Sequence, residues 1–444
     1  MHVQTELWES PDTMSIADSK VAPAAAAVPT STDKPAMAMV TTLFFMWGFL
    51  TCLNDILIPH LKAIFDLSYA RAMLIQFSFF GAYFVFALPS GKLIEWLGYK
   101  KAMVGGLLTM GLGALLFVPA ASAPSFPLFL TALIILAAGI TILQVSANPY
   151  VAVLGPEKTA SSRLNLTQAF NSLGTTLAPW FGSLLILSGA PVALDVVRQM
   201  PPDQLQTYRL EQASSVKLPY LGLAIALFLL GLVIAKFKLP VISSVEPHGK
   251  VHDSIWKYPR LIMGAGAIFV YVGAEVAIGS MLVNYMSQPN IGNISIQLAA
   301  KFVSLYWGGA MIGRFIGSAV LQKMRTGTVL GFSALMAFLL VVLSMGSFGH
   351  LAMWSILLVG FFNSTMFPSI FTLSIEGLGP LTGKGSALLV CAIVGGAIIP
   401  ELQGVLADRI GIHHAFILPA LCYLYIASFA FKNNKPHGEA PAHT

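Results

Sequence analysis

Two carboxylates stand in stretches that are otherwise apolar. Asp55 closes the run Thr51-Cys-Leu-Asn-Asp55, and Glu275 closes Tyr271-Val-Gly-Ala-Glu275. If these stretches cross a bilayer, each acid is costly to place and is by default a functional residue. Such an acid can take up and release a proton, or hold a cation. Neutral amides recur in similar surroundings: Asn54 beside Asp55, Gln144 and Asn148 four residues apart, Gln168 and Asn171 three apart. On a helix each of the last two pairs shares a face. An amide both donates and accepts, so these five suit a ligand made of hydroxyls and would not neutralise a charged one. Asn284, Asn363 and Gln403 read better as hydrogen bonds between helices.

Other chemistries find less support. Cys52, Cys391 and Cys422 are far apart and show no paired spacing, which fits small buried side chains. His60, His413 and His414 form no metal-ligand pattern. The run Gly379-Pro-Leu-Thr-Gly383-Lys384-Gly385 lacks the spacing of a nucleotide-binding loop and ends on Gly where Ser or Thr would meet magnesium. Trp47, Tyr83, Tyr150, Tyr271 and Trp307 could stack on a sugar ring, but packing and interfacial belts account for each. No cofactor and no metal are expected.

The elements that hold these residues follow from composition. Charged side chains make up 10% of the 444 residues, against about 25% in an ordinary soluble domain. Hydrophobic residues reach 56%, with mean hydropathy +0.77. A single soluble core cannot absorb so much apolar surface. This excludes a soluble enzyme, a nucleic-acid-binding domain and a disulfide scaffold. A crossing helix needs about 20 apolar residues. The charge-free stretches between Lys101 and Glu157 and between Arg325 and Glu376 each hold two, broken at Pro124–Pro127 and at Gly349-His350. Eight more runs lie near 38–58, 74–94, 165–188, 219–238, 262–286, 299–321, 383–404 and 412–431. The chain is expected to be an all-α membrane protein of twelve transmembrane helices.

Residues 1–37 are rich in Ala, Pro, Ser and Thr with no signal-peptide pattern, and read as a disordered tail. With both termini on the cytoplasmic side, inner segments hold 18 Lys and Arg and outer ones 7, which fixes that orientation. The net charge of +6 is then topology and calls for no nucleic-acid partner.

The two halves repeat. Gly91-Lys-Leu-Ile matches Gly313-Arg-Phe-Ile at an offset of 222, and Gly174, Pro179 and Gly182 match Gly395, Pro400 and Gly404 at 221 or 222. Asp55 and Glu275 are 220 apart, which places them in roughly equivalent positions. The expected organisation is a six-helix half over 38–238, a cytoplasmic linker over 239–260, a second six-helix half over 261–432 and a tail over 433–444. Parallel six-plus-six repeats resemble the major facilitator architecture. The Gly-[Lys/Arg] turn resembles its loop signature, in degenerate form, with Glu95-Trp96 for the usual Ala-Asp. By its place in that motif, Arg314 reads as structural.

Longer motifs narrow the resemblance. Phe44 to Lys62, Gly139 to Tyr150, Arg163 to Gly174 and Tyr271 to Glu275 resemble the fucose–galactose–glucose:proton symporter family, most of all its bacterial glucose/galactose branch. The likeness runs from about 40 to 431. It implies a monomeric hexose importer in a bacterial inner membrane, working by alternating access with protons, or in some relatives sodium, as coupling ion. It also implies a role for Asp55 in proton coupling and sugar binding, and a cavity-lining place for Gln168. The fucose branch has a glutamate where this chain has Gln144 and a glutamine where it has Glu275. Glu275 therefore stays open as a second proton site, a sugar acceptor, a sodium ligand or a structural acid. Carriers of other neutral solutes (fucose, an amino sugar, a drug) and a membrane enzyme on lipid-linked sugars are the alternatives. The longest connection, about 189–218, lacks the His and clustered acids an enzyme would need.

Overall fold

The computed structural model describes residues 31–65, 69–185, 199–240 and 254–434, with the side chains of 54–60, 62–64, 69–74, 76 and 182–185 outside that description. Asn54 and Asp55 are among these, so their helix is defined and their side chains are not. Among the described residues every regular element is helical.

The first half comprises α1 (Lys34–Phe65), α2 (Tyr69–Ser122), α3 (Phe126–Val153), α4 (Ala160–Leu185), α5 (Pro202–Ser214) and α6 (Lys217–Lys236). α2 is two spans in one element, folded back at Gly98 with φ 75° and ψ 168°, a backbone conformation only glycine adopts freely. α5 is short and polar and lies within the long connection that precedes α6. The second half comprises α7 (Pro259–Met286), α8 (Ile296–Val320), α9 (Thr326–Met345), α10 (Gly349–Asn363), α11 (Met366–Ile375), α12 (Thr382–Cys391), α13 (Gly395–Ile410), α14 (Ile412–Ala415) and α15 (Ile417–Lys432). Nine helices in the described residues are long and apolar enough to cross a membrane. One of them, Phe77–Ser122, holds both arms of α2. Two further helices of spanning length, α4 and α8, are excluded by their polar residues alone. The helices thus make the twelve crossings expected from the sequence, with α10–α11, α12–α13 and α14–α15 forming one each.

The broken spans have local causes. Pro368 has no N–H and crowds the carbonyl of Ser364, so the tenth crossing interrupts between Asn363 and Met366. Pro400 stands in the same relation to Gly396, just after the interruption between α12 and α13. Exposed Leu, Ile and Phe side chains cover the outer faces, among them Leu88, Leu112, Leu229, Ile312, Leu339 and Leu421, as lipid contact requires.

Each half closes at the same kind of contact. Gly174 of α4 lies against the carbonyl of Phe45 in α1, and Gly395 of α13 lies against the carbonyl of Phe269 in α7. A side chain on either glycine would hit backbone. The glycines are the pair matched in sequence, but Phe269 lies 224 residues beyond Phe45. In that packing register the counterpart of Glu275 is Thr51, and the counterpart of Asp55 is Gly279. The two acids are therefore one helical turn out of register, about 6 Å along the axis. Equal spacing in sequence concealed this shift, because small differences in connection length precede each helix.

The two halves meet chiefly near the end of the bundle that carries Lys34 and Asn434, the terminal end. Ser161 bonds Thr326 at 2.8 Å and Thr372 at 2.5 Å, Ser162 donates to the Ser318 carbonyl at 2.7 Å, and Ser386 donates to the Val145 carbonyl at 2.8 Å. Lys384 pairs with Glu95 at 3.0 Å. Among the described residues, the contact of Thr176 with the Met311 sulfur at 3.5 Å is the farthest hydrogen bond between halves along α4 from that end.

Candidate functional site

α3 runs through the centre of the first half, and residues 143–152 are buried on every face. Its polar side chains therefore cannot reach water and must find partners. Thr141 and Ser146 bond carbonyls of their own helix. Gln144 donates to the Tyr83 hydroxyl at 2.7 Å. Asn148 is wholly buried, and neither its Oδ1 nor its Nδ2 meets a partner among the described residues. A buried unsatisfied amide costs about 1–3 kcal/mol, a cost that a hydroxylated ligand would relieve.

α4 carries Ser161, Asn165, Gln168, Ser172 and Thr176 at steps of three and four, which makes one stripe down the helix. The stripe faces α8 of the other half. Asn165 donates to the Arg314 carbonyl at 2.6 Å, and the Ser172 hydroxyl accepts from the Arg314 guanidinium. Gln168 lies between those two contacts. It is buried, and its Nε2 finds no partner. Asn171 points off the stripe and donates to the Phe44 carbonyl at 2.9 Å, which ties α4 to α1. Of the five amides named from sequence, Gln168 and Asn148 are left with unmet hydrogen-bonding atoms, Gln144 and Asn171 are paired, and Asn54 lies outside the described side chains.

The second half holds a polar network that sequence spacing only hinted at. Glu275 Oε1 accepts from the Tyr271 hydroxyl at 2.8 Å and stands 3.9 Å from the Arg314 guanidinium. The Tyr306 hydroxyl donates to the Glu275 carbonyl at 3.1 Å and accepts from Asn363 Nδ2 at 2.8 Å, while Tyr423 donates to Asn363 Oδ1 at 2.8 Å. The interruption after Asn363 frees its carbonyl, which takes a second contact from Tyr271 at 3.2 Å. Asn363 is thus the helix–helix bond the sequence suggested. Gln403 is not, since both of its side-chain polar atoms are buried without a partner, and Asn284 is exposed.

Arg314 lies within α8, inside the run read as a span over 299–321, and its side chain is only 14% exposed. It is the one described residue that touches both Glu275 and the stripe on α4. Pairing of Glu275 with a guanidinium disfavours a sodium ion at the same carboxylate, because the cation would meet a neighbouring positive charge. Tyr271 was legible as an (i, i+4) neighbour of Glu275, whereas Arg314, 39 residues further on, carried no such signal. Asp55 lies one turn farther along α1 than the counterpart of Glu275.

This arrangement has parallels among known proteins. The family model for the Major Facilitator Superfamily matches residues 36–392. The chain belongs to the major facilitator superfamily. Within the superfamily it is 52% identical over 402 residues to the glucose/galactose transporter of Brucella abortus biovar 1 (strain 9-941), covering 90% of this chain and 94% of that one. It is 37% identical to the L-fucose-proton symporter of Escherichia coli (strain K12), over 88% of this chain and 92% of the other. A crystal structure of the facilitator FucP in the outward conformation superposes with a TM-score of 0.85 at 36% identity, covering 90% of this chain and 99% of that one. This facilitator spans the membrane many times as two six-helix halves.

Proposed function

We propose that this facilitator carries glucose and galactose across a bacterial inner membrane together with protons, by alternating access of a site between its halves. The observation that carries the reading is the pair of buried amides, Asn148 with both side-chain polar atoms and Gln168 with its Nε2 left without a partner among the described residues. They offer a neutral polyol the donors and acceptors it needs and offer a charged solute no counter-charge. The 52% identity to a glucose/galactose transporter supports hexose as the substrate class. The excess of Lys and Arg on one side assigns the terminal end to the cytoplasm. The meeting of the halves there makes this form closed to the cytoplasm. Asp55 is the coupling acid in this reading, taking a proton so that the carrier can reorient without an exposed charge in the membrane. The carrier acts as a monomer.

Uptake of labelled glucose into membrane vesicles tests the reading. Accumulation above the external level is expected, with loss on adding a protonophore and no loss on replacing sodium. Uptake that only equilibrates, follows sodium alone, or yields a modified sugar without accumulation would overturn it.

A further inference from the structure

Glu275 presents one oxygen to the protein and keeps the other free. Its hydrogen bond from Tyr271 and its ion pair with Arg314 both fall on Oε1, and no described residue bonds Oε2. Arg314 likewise spends its terminal nitrogens on Glu275 and Ser172 and leaves Nε buried without a partner. Gln168, flanked on the α4 stripe by the two residues that touch Arg314, is 5% exposed and leaves Nε2 unpaired. One unused acceptor and two unused donors are thus gathered where the halves meet, from α7 and α8 on one side and α4 on the other.

We propose that Glu275, Arg314 and Gln168 form a clamp for two adjacent ring hydroxyls of the hexose, with Glu275 serving as a sugar acceptor and not as a coupling acid. This rests on the reading of the chain as a sugar carrier. The carboxylate accepts from one hydroxyl through Oε2. The neighbouring hydroxyl oxygen accepts from Arg314 Nε or Gln168 Nε2. A carboxylate accepts at two oxygens and a guanidinium donates in a fixed plane, so the pair discriminates the orientation of adjacent hydroxyls better than two amides could. The ion pair is neutral as a unit and needs neither sodium nor a proton to be compensated. Tyr271, bonded to both Glu275 and the free carbonyl of Asn363, fixes the carboxylate against rotation.

The test is binding of glucose, galactose and each single-deoxy derivative to the purified full-length protein in lipid nanodiscs, native and Glu275→Gln, with Glu275→Asp as a second variant that keeps the charge. Native protein is expected to bind one of the deoxy sugars tenfold or more weakly than the parent. Glu275→Gln is expected to bind the parent sugar tenfold or more weakly and that deoxy sugar no worse than native does, because the lost hydroxyl and the lost acceptor are one interaction. Glu275→Asp is expected to recover part of the loss. Proton-driven accumulation, corrected for the weaker binding, keeps its native pH profile in Glu275→Gln. Losses that add for every deoxy sugar, or native affinity in Glu275→Gln with a changed pH profile, would overturn the clamp. If native protein binds neither hexose, the sugar-carrier reading falls and takes the clamp with it. If native protein binds and Glu275→Gln binds equally, only the clamp falls.

Discussion

Asn148 and Asn363 show how the same amide in the same kind of helix performs different work. Asn363 satisfies its Oδ1, its Nδ2 and its carbonyl within the protein, holding Tyr423, Tyr306 and Tyr271. Asn148 satisfies neither side-chain atom. Asn363→Ala is therefore expected to strand the buried Tyr423 hydroxyl, while Tyr306 still donates to the Glu275 carbonyl, and to cost about 1–3 kcal/mol, which a thermal-shift measurement on purified protein would show as a lower midpoint. Asn148→Ala and Gln168→Ala are expected to leave that midpoint near native and to weaken hexose binding roughly tenfold. The reverse pattern, with Asn148→Ala unstable and binding intact, would make Asn148 a packing residue. Asp55→Asn is expected to abolish accumulation against a gradient while sugar exchange between the two sides persists, and concentrative uptake at native level would remove Asp55 from coupling. Polar residues at depth were legible because they interrupt apolar runs. Which of them pair was not legible, since Arg314, Ser172 and Glu275 come from three helices whose mutual rotation no local pattern encodes.

The helices themselves were the most legible part of the chain, because twenty apolar residues in a row leave few alternatives in lipid. The Pro and Gly punctuation near 122–127 and at Gly349 located the turns, and the repeat that pairs Gly174 with Gly395 falls on matching close contacts between helices. The exceptions are instructive. α4 and α8, read as spans over 165–188 and 299–321, fall short of the hydropathy of the other crossings, and they pack against each other between the halves, as α2 and α12 also do. The register of the acids also escaped, because a matched pair of charges 220 apart suggested equivalence that the Gly174 and Gly395 contacts revise by a turn. Those contacts make a second expectation at this scale. Gly395→Ala places a methyl against the Phe269 carbonyl with nothing flexible to yield, so α13 must move off α7. Folded yield is expected to fall sharply, while Gly404→Ala, which meets only the end of Met281 at 3.9 Å, stays near native. Size-exclusion profiles of the two variants, purified side by side, would decide it, and equal profiles would refute the close-contact account.

Between the halves, the terminal-end seam is built from bonds that can be broken repeatedly. Apart from Lys384–Glu95, whose partners are each more than a third exposed, and the Arg314 contacts, its described bonds are neutral hydroxyl and amide bonds. Each such bond contributes on the order of 1 kcal/mol, and the exposed ion pair about 0–1 kcal/mol. A seam of this kind closes the terminal end without a deep energy well, which a carrier that alternates between two forms requires. The polar residues that form it come from the starts and ends of α4, α8, α9, α11 and α12, so rocking of one half parts them together. Joining Ser161→Cys to Thr372→Cys, whose parent oxygens lie 2.5 Å apart, in a background where Cys52, Cys391 and Cys422 have been replaced, should hold the terminal end shut. The oxidised protein is expected to bind hexose from the distal side and to exchange none across the membrane, with exchange restored by a reductant. The control is Ser161→Cys alone, which forms no cross-link and exchanges before and after oxidation. Exchange that continues in fully cross-linked protein would mean that this seam stays closed throughout transport, and that the path of the sugar does not run between the halves at the terminal end.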